Sequence, residues 1–98
     1  MIDMKIEDAI RDECADLKTM LLEKNAAYGN SALDPIRIFS KADPVEQIRV
    51  RIDDKLSRLA RGQAAGEDVE LDLLGYLVLL RVARRMYEAQ KREIEAQR

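Results

Sequence analysis

Histidine and tryptophan are absent from this sequence, cysteine and phenylalanine occur once each, and proline only twice. Each shortage closes a class of function. Without an imidazole there is no Ser–His–Asp triad, no histidine base and no His-ligated metal. A single cysteine, Cys14, excludes an intramolecular disulfide and has no companion for a thiolate metal site, which fits a reducing compartment. The four glycines match neither the Walker nor the dinucleotide-binding spacing, so the standard ATPase, kinase and Rossmann readings fall away. Charge of one sign is also lacking: 17 basic against 19 acidic residues leave a net −2. No global field draws such a chain onto nucleic acid, and no direct nucleic-acid binding is expected. The longest apolar stretch, Leu73 to Leu80, is far shorter than the roughly 20 residues of a membrane span. No basic-then-apolar leader opens the sequence, so the expectation is a cytoplasmic protein away from membranes.

Hydrophobic residues at 47% and charged residues at 37% suit a folded helical chain rather than a disordered one. At 98 residues there is room for one domain, with a core from about 3 to 87 and a charged helical tail over 88–98. Ile6, Ile10, Cys14, Leu17 and Leu21 recur at helical spacing and predict a first helix over about Asp3 to Ala26. It ends where Tyr28-Gly29-Asn30-Ser31 gathers turn formers and Asp34-Pro35 blocks resumption. A second helix is announced by Asp43 as N-cap, Pro44 at the first position and Glu46 three residues after the cap. Its apolar stripe is Val45, Ile48, Ile52, Leu56 and Leu59. Gly62 and Gly66 bracket a connection so short that the next helix, from about Glu67, should return antiparallel.

That third helix is apolar almost all round between Leu71 and Leu80. Leu71, Leu74 and Val78 form one face, and Leu73, Leu77 and Leu80 another. One hairpin cannot cover both, so the second face calls for a sister chain, as in a bundle completed by homodimerisation. Beyond Ala83 the alternating charges of the tail predict a solvated helix end that frays.

Carboxylates interrupt this pattern. Asp68 and Asp72, four apart, share a face of the third helix. They could help to build an oxygen site for Mg²⁺, which takes much of its shell from phosphates and water, or simply pair with Lys55 or Arg58 across the hairpin. On the second helix Arg51, Asp54 and Arg58 form a stripe with Lys55 at its edge. It reads either as a wall of cations against a polyphosphate or as a ladder of surface ion pairs. Glu13 is a third inward acid or a lysine partner. Gly75 permits a close helix approach or leaves room for a base. Around the exit of the first helix, Lys24, Asn25, Tyr28, Arg37, Ser40 and Lys41 offer donors and one ring, which could hold phosphates and stack a base or merely cap the helix.

Three strings then matter together: Lys24-Asn25-Ala26-Ala27-Tyr28-Gly29-Asn30-Ser31, Arg51-Ile52-Asp53-Asp54-Lys55-Leu56-Ser57-Arg58, and Glu67-Asp68 with Asp72-Leu73-Leu74-Gly75-Tyr76. In this order they resemble the phage-associated family called nucleotide-modification-associated domain 1. That family is itself similar to the all-α nucleoside triphosphate pyrophosphohydrolases of the MazG and dimeric dUTPase type. The resemblance spans about Leu22 to Ala83. It implies an all-α, three-helix protomer in an antiparallel bundle of the pyrophosphatase type, assembled as a homodimer or a dimer of dimers. It further implies Mg²⁺-dependent cleavage of a (deoxy)nucleoside triphosphate to the monophosphate and pyrophosphate, with Mn²⁺ able to substitute. Carried over by position, Asp54 and Asp72 are the catalytic acids and Asp54, Asp68 and Asp72 the metal ligands. Placing Lys24, Asn25, Tyr28, Arg51, Lys55 and Arg58 around the nucleotide is our own hypothesis, and for Lys24, Asn25 and Tyr28 it does not follow from the resemblance. The characterised enzymes carry Glu-x-x-Glu on the earlier helix, where this chain has Arg51-Ile52-Asp53-Asp54. The alternative is a non-catalytic nucleotide-binding or helical interaction protein whose Asp–Arg pairs are structural.

Overall fold

The computed structural model describes residues 4–34, 40, 43–62 and 66–97. Three α-helices and no strand occur among them: α1 (Ile6–Tyr28), α2 (Pro44–Ala60) and α3 (Val69–Ala96). The expected start of α1 at Asp3, and Pro35, Arg37 and Lys41 of the loop, lie outside the described residues.

Each terminus follows from local chemistry. α1 runs past Ala26 to Tyr28 because the chain turns only at Gly29 and Asn30, which take left-handed backbones at φ 59° and 64°. Their amides both return to the Asn25 carbonyl, satisfying one orphan acceptor of the last turn. α2 starts as its sequence dictates, with the Asp43 carboxylate accepting from the Val45 amide at 2.8 Å and Pro44 beginning the helix. Glu46 does not reach back to complete a capping box; it pairs instead with Arg49, 3.4 Å away. α3 begins two residues later than Glu67, because Asp68 serves as its N-cap and accepts from the Leu71 amide at 3.0 Å. The charged tail remains helical to Ala96 and is exposed from Arg84 onward.

α2 and α3 pack against each other, and because Arg58 meets Glu67 while Lys55 reaches on to Asp72, they run in opposite directions. α1 meets α3 over a short stretch, with Lys24 opposite Asp72 and Leu21 opposite Gly75, so it too runs against α3. Gly75 is buried there, and a Cβ on it would lie 3.1 Å from Leu21 Cδ2 and 3.2 Å from Met20 Cε. Close helix approach, one of the two readings of this glycine, is realised. The α1 and α2 backbones do not approach one another. They flank a slot floored by α3.

Among the described residues there is almost no core: Ile48 and Val69 are the buried hydrophobic ones. The exposed surface is 8533 Å² for 11.2 kDa, where a compact chain of that mass exposes about 5,700 Å². The radius of gyration, 16.8 Å, likewise exceeds the about 13 Å of a compact domain of this length. On α3 the division between faces differs from the expected one. Leu74, assigned to the hairpin, is exposed, as is Leu77, whereas Leu73 and Leu80 are half-buried within the protomer. α2 and α1 together shield a wide arc of α3, and what they leave open is the strip of Glu70, Leu74, Leu77 and Arg81. No helix among the described residues is long and apolar enough to cross a membrane.

Candidate functional site

The slot between α1 and α2 is a cavity of about 730 Å³, within the range of small-molecule sites. α1 and its exit contribute Met20, Leu21, Lys24, Asn25, Tyr28, Ser31 and Ala32; α2 contributes Gln47, Ile48, Val50 and Arg51; α3 contributes Asp72, Gly75, Tyr76 and Leu79. Five of the residues singled out in the sequence, Lys24, Asn25, Tyr28, Arg51 and Asp72, therefore converge from all three helices. Asp54, Lys55, Arg58 and Asp68 do not line the cavity.

The cavity is amphipathic by construction. Helical spacing puts Gln47 and Arg51 on the same side of α2, beside the buried Ile48, while Gly75 leaves α3 flat enough for α1 to settle over it. Tyr28 stands exposed at the last turn of α1. Asn25 is held in place by donating its amide to the Asn30 side chain, 2.6 Å away, so part of its capacity goes to the turn. Arg51 makes no ion pair among the described residues, in contrast to the other cations nearby.

Those other cations belong to one ladder. Lys24 Nζ lies 3.2 Å from Asp72 Oδ1, and Lys55 Nζ lies 3.4 Å from Asp72 Oδ2 and 3.3 Å from Glu67 Oε2. Arg58 Nη1 donates to both Glu67 oxygens at 2.8 Å, and its Nε lies 3.3 Å from Asp54. Lys55, with a side chain only 12% exposed, is pulled down by burial but more than compensated by its bonds to Glu67 and Asp72 and by their charges, so its pKa is raised. The hydrogen bonds from Arg58 and then Lys55, with the two positive charges, hold Glu67 below the usual carboxylate range. The same bond from Glu67, together with Asp54, raises Arg58.

The three proposed metal acids are thus dispersed in their tasks. Asp54 pairs with Arg58 on its own helix, Asp68 caps α3, and Asp72 faces the cavity between two lysines. No group of three acids able to hold a metal forms among the described residues. Among the described residues Asp72 is the one carboxylate at the cavity wall. Glu13 is exposed on α1.

The sequence reading missed the apolar lining and two polar residues. Gln47 could have been found, since it lies one turn before Arg51 on the same stripe. Glu67, the anchor of Lys55 and Arg58, was readable as a charge before α3 but not as their partner. Set against family models, curated proteins and solved structures, the chain matches none.

Proposed function

We propose that the chain is a Mg²⁺-dependent nucleoside triphosphate pyrophosphohydrolase-like protein, of the nucleotide-modification-associated type that its motifs resemble, acting on a (deoxy)nucleotide held in the slot between α1 and α2. The observation that carries this reading is the convergence of Lys24, Asn25, Tyr28, Arg51 and Asp72 from three helices on one cavity. Lys24 and Arg51 supply charge for a polyphosphate, and charge-assisted bonds of that kind are the strong ones. Tyr28 and Tyr76, with Met20, Leu21, Val50 and Leu79, offer ring and aliphatic surface for a base. A Mg²⁺ brought in with the nucleotide would polarise the phosphates. On the protein side Asp72 would hold it, and Lys55, nearly buried, fixes the Asp72 carboxylate from behind. Asp54 and Asp68 act at a distance from the cavity, through Arg58 and through the start of α3.

Incubation of the purified protein with each (deoxy)nucleoside triphosphate and Mg²⁺, with detection of pyrophosphate, tests the enzymatic reading. Turnover lost in Asp72→Asn is expected. Absence of turnover with every nucleotide, or unchanged turnover in that variant, removes it. A second reading, nucleotide binding without chemistry, is favoured by one observation, that both Asp72 oxygens already face lysines. Saturable binding without hydrolysis would establish it.

The same reading includes assembly with a second copy. By helical register, Val45, Ile52 and Leu56 of α2 and Leu73, Leu77 and Leu80 of α3 lie on the side of the hairpin away from α1. Leu56 is 48% and Leu77 44% exposed. Light scattering should give a dimer or a dimer of dimers for the wild type and a smaller species for Leu77→Glu. A wild-type monomer at high concentration would refute this part. The exposed lone Cys14 is compatible with a cytoplasmic, reducing setting.

A further inference from the structure

We infer that Asp72 is an internal stand-in for ligand phosphate, and that a bound polyphosphate takes Lys24 away from it while Lys55 stays in place. This rests on the nucleotide-binding reading of the cavity and adds to it which cation moves.

The two lysines that face Asp72 are not equivalent. Lys24 reaches Asp72 Oδ1 across the α1–α3 contact at 3.2 Å, its side chain is 55% exposed, and Asp72 is its one ion-pair partner among the described residues. A pair so wetted is weak, and a four-carbon stem can redirect its ammonium at little expense. Lys55 is fixed from two sides, by Asp72 and by Glu67, and is far more enclosed. Arg51, on the opposite wall, has no ion pair among the described residues to give up. A polyanion entering the slot therefore meets one uncommitted cation and one exchangeable cation. The exchange conserves charge pairing, because Asp72 retains Lys55 when Lys24 leaves. The same contact ties α1 to α3 near the close approach at Gly75.

The test is a double-mutant cycle in tripolyphosphate affinity, measured by calorimetry with EDTA present so that no metal bridges Asp72 to the probe. Lys24→Gln should weaken binding about three- to tenfold. Asp72→Asn should tighten it about two- to fivefold, because the competitor for Lys24 is gone. In the Lys24→Gln background, Asp72→Asn should give a clearly smaller gain. An equal gain in both backgrounds would reduce Asp72 to a repulsive charge and overturn the exchange, as would weaker binding by Asp72→Asn. Absence of binding by any variant would instead overturn the cavity reading on which the exchange depends. Should Asp72→Asn fail to fold, the ε-carbon NMR signals of Lys24 and Lys55 in the wild type decide the matter. The Lys24 signal should shift on titration with tripolyphosphate and that of Lys55 should stay; a Lys24 signal that does not move would contradict the proposal.

Discussion

Arg51 and Arg58 stand two turns apart on one stripe of α2, yet their surroundings are opposite. Arg58 is consumed: it grips both oxygens of Glu67 and touches Asp54, at the end of the hairpin where the α2–α3 connection closes. Arg51 lines the slot beside Gln47 and Ile48 with no ion pair among the described residues. What separates them is the neighbour. The turn before α3 delivers Glu67 to one end of α2, whereas α1 stands away from α2 and leaves a gap beside Arg51. A cation matched by an acid stabilises the fold a little, and a cation facing a cavity can serve a ligand.

The harshest way to break the comparison is to remove the ground that both ends share. Ile48, 3% exposed, is one of the few buried side chains, and Ile48→Ala should destabilise the chain by about 2–5 kcal/mol in urea unfolding. With so little other core, both the slot and the ladder should then be lost together. Gly75→Leu strikes the slot alone. Its side chain would collide with Met20 and Leu21, and overpacking of that kind costs about 1–3 kcal/mol. Triphosphate affinity should fall while the Arg58–Glu67 pair survives, checked by calorimetry and by NMR of the arginine Nε. Arg51→Ala should leave thermal stability unchanged and weaken triphosphate binding by about 10- to 100-fold, the scale of a lost charge-assisted contact.

The smallest effect belongs to the matched end. Glu67→Gln should leave triphosphate affinity within about twofold, since a rim charge away from the ligand does little. Its signature is in acid. The folded-state pKa of Glu67 lies below its ordinary value of 4.5, so its contribution is present above that pH and disappears as the pH falls through the lowered value. Urea midpoints recorded between neutral and acidic pH should therefore fall less steeply in the variant than in the wild type. An equally steep fall would mean that the ladder is not what holds this end.

How far all this could be read in advance depended on range. The start of α2 was legible because Asp43 and Pro44 act within a few residues of each other. The start of α3 was displaced because two acids, Glu67 and Asp68, compete for the cap, and only the three-dimensional path frees one to reach Arg58. The stripe on α2 was legible as a stripe; its division into a half that lines the cavity and a half paired with Glu67 was not, because nothing in the spacing of α2 reveals where α1 stops short. For the same reason Leu74 was placed against the hairpin, although α1 and α2 shield a different arc of α3. Lys24, Asn25 and Tyr28 were marked by their company in sequence, and the cavity gives that company a place.

Calorimetric titration of the purified chain with a non-hydrolysable nucleoside triphosphate, run in parallel on Arg51→Ala and Arg58→Ala, tests the central claim most directly. Saturable binding by the wild type that persists in Arg58→Ala and collapses in Arg51→Ala is the result predicted. Binding that is indifferent to Arg51, or no binding at all at millimolar nucleotide, would contradict it.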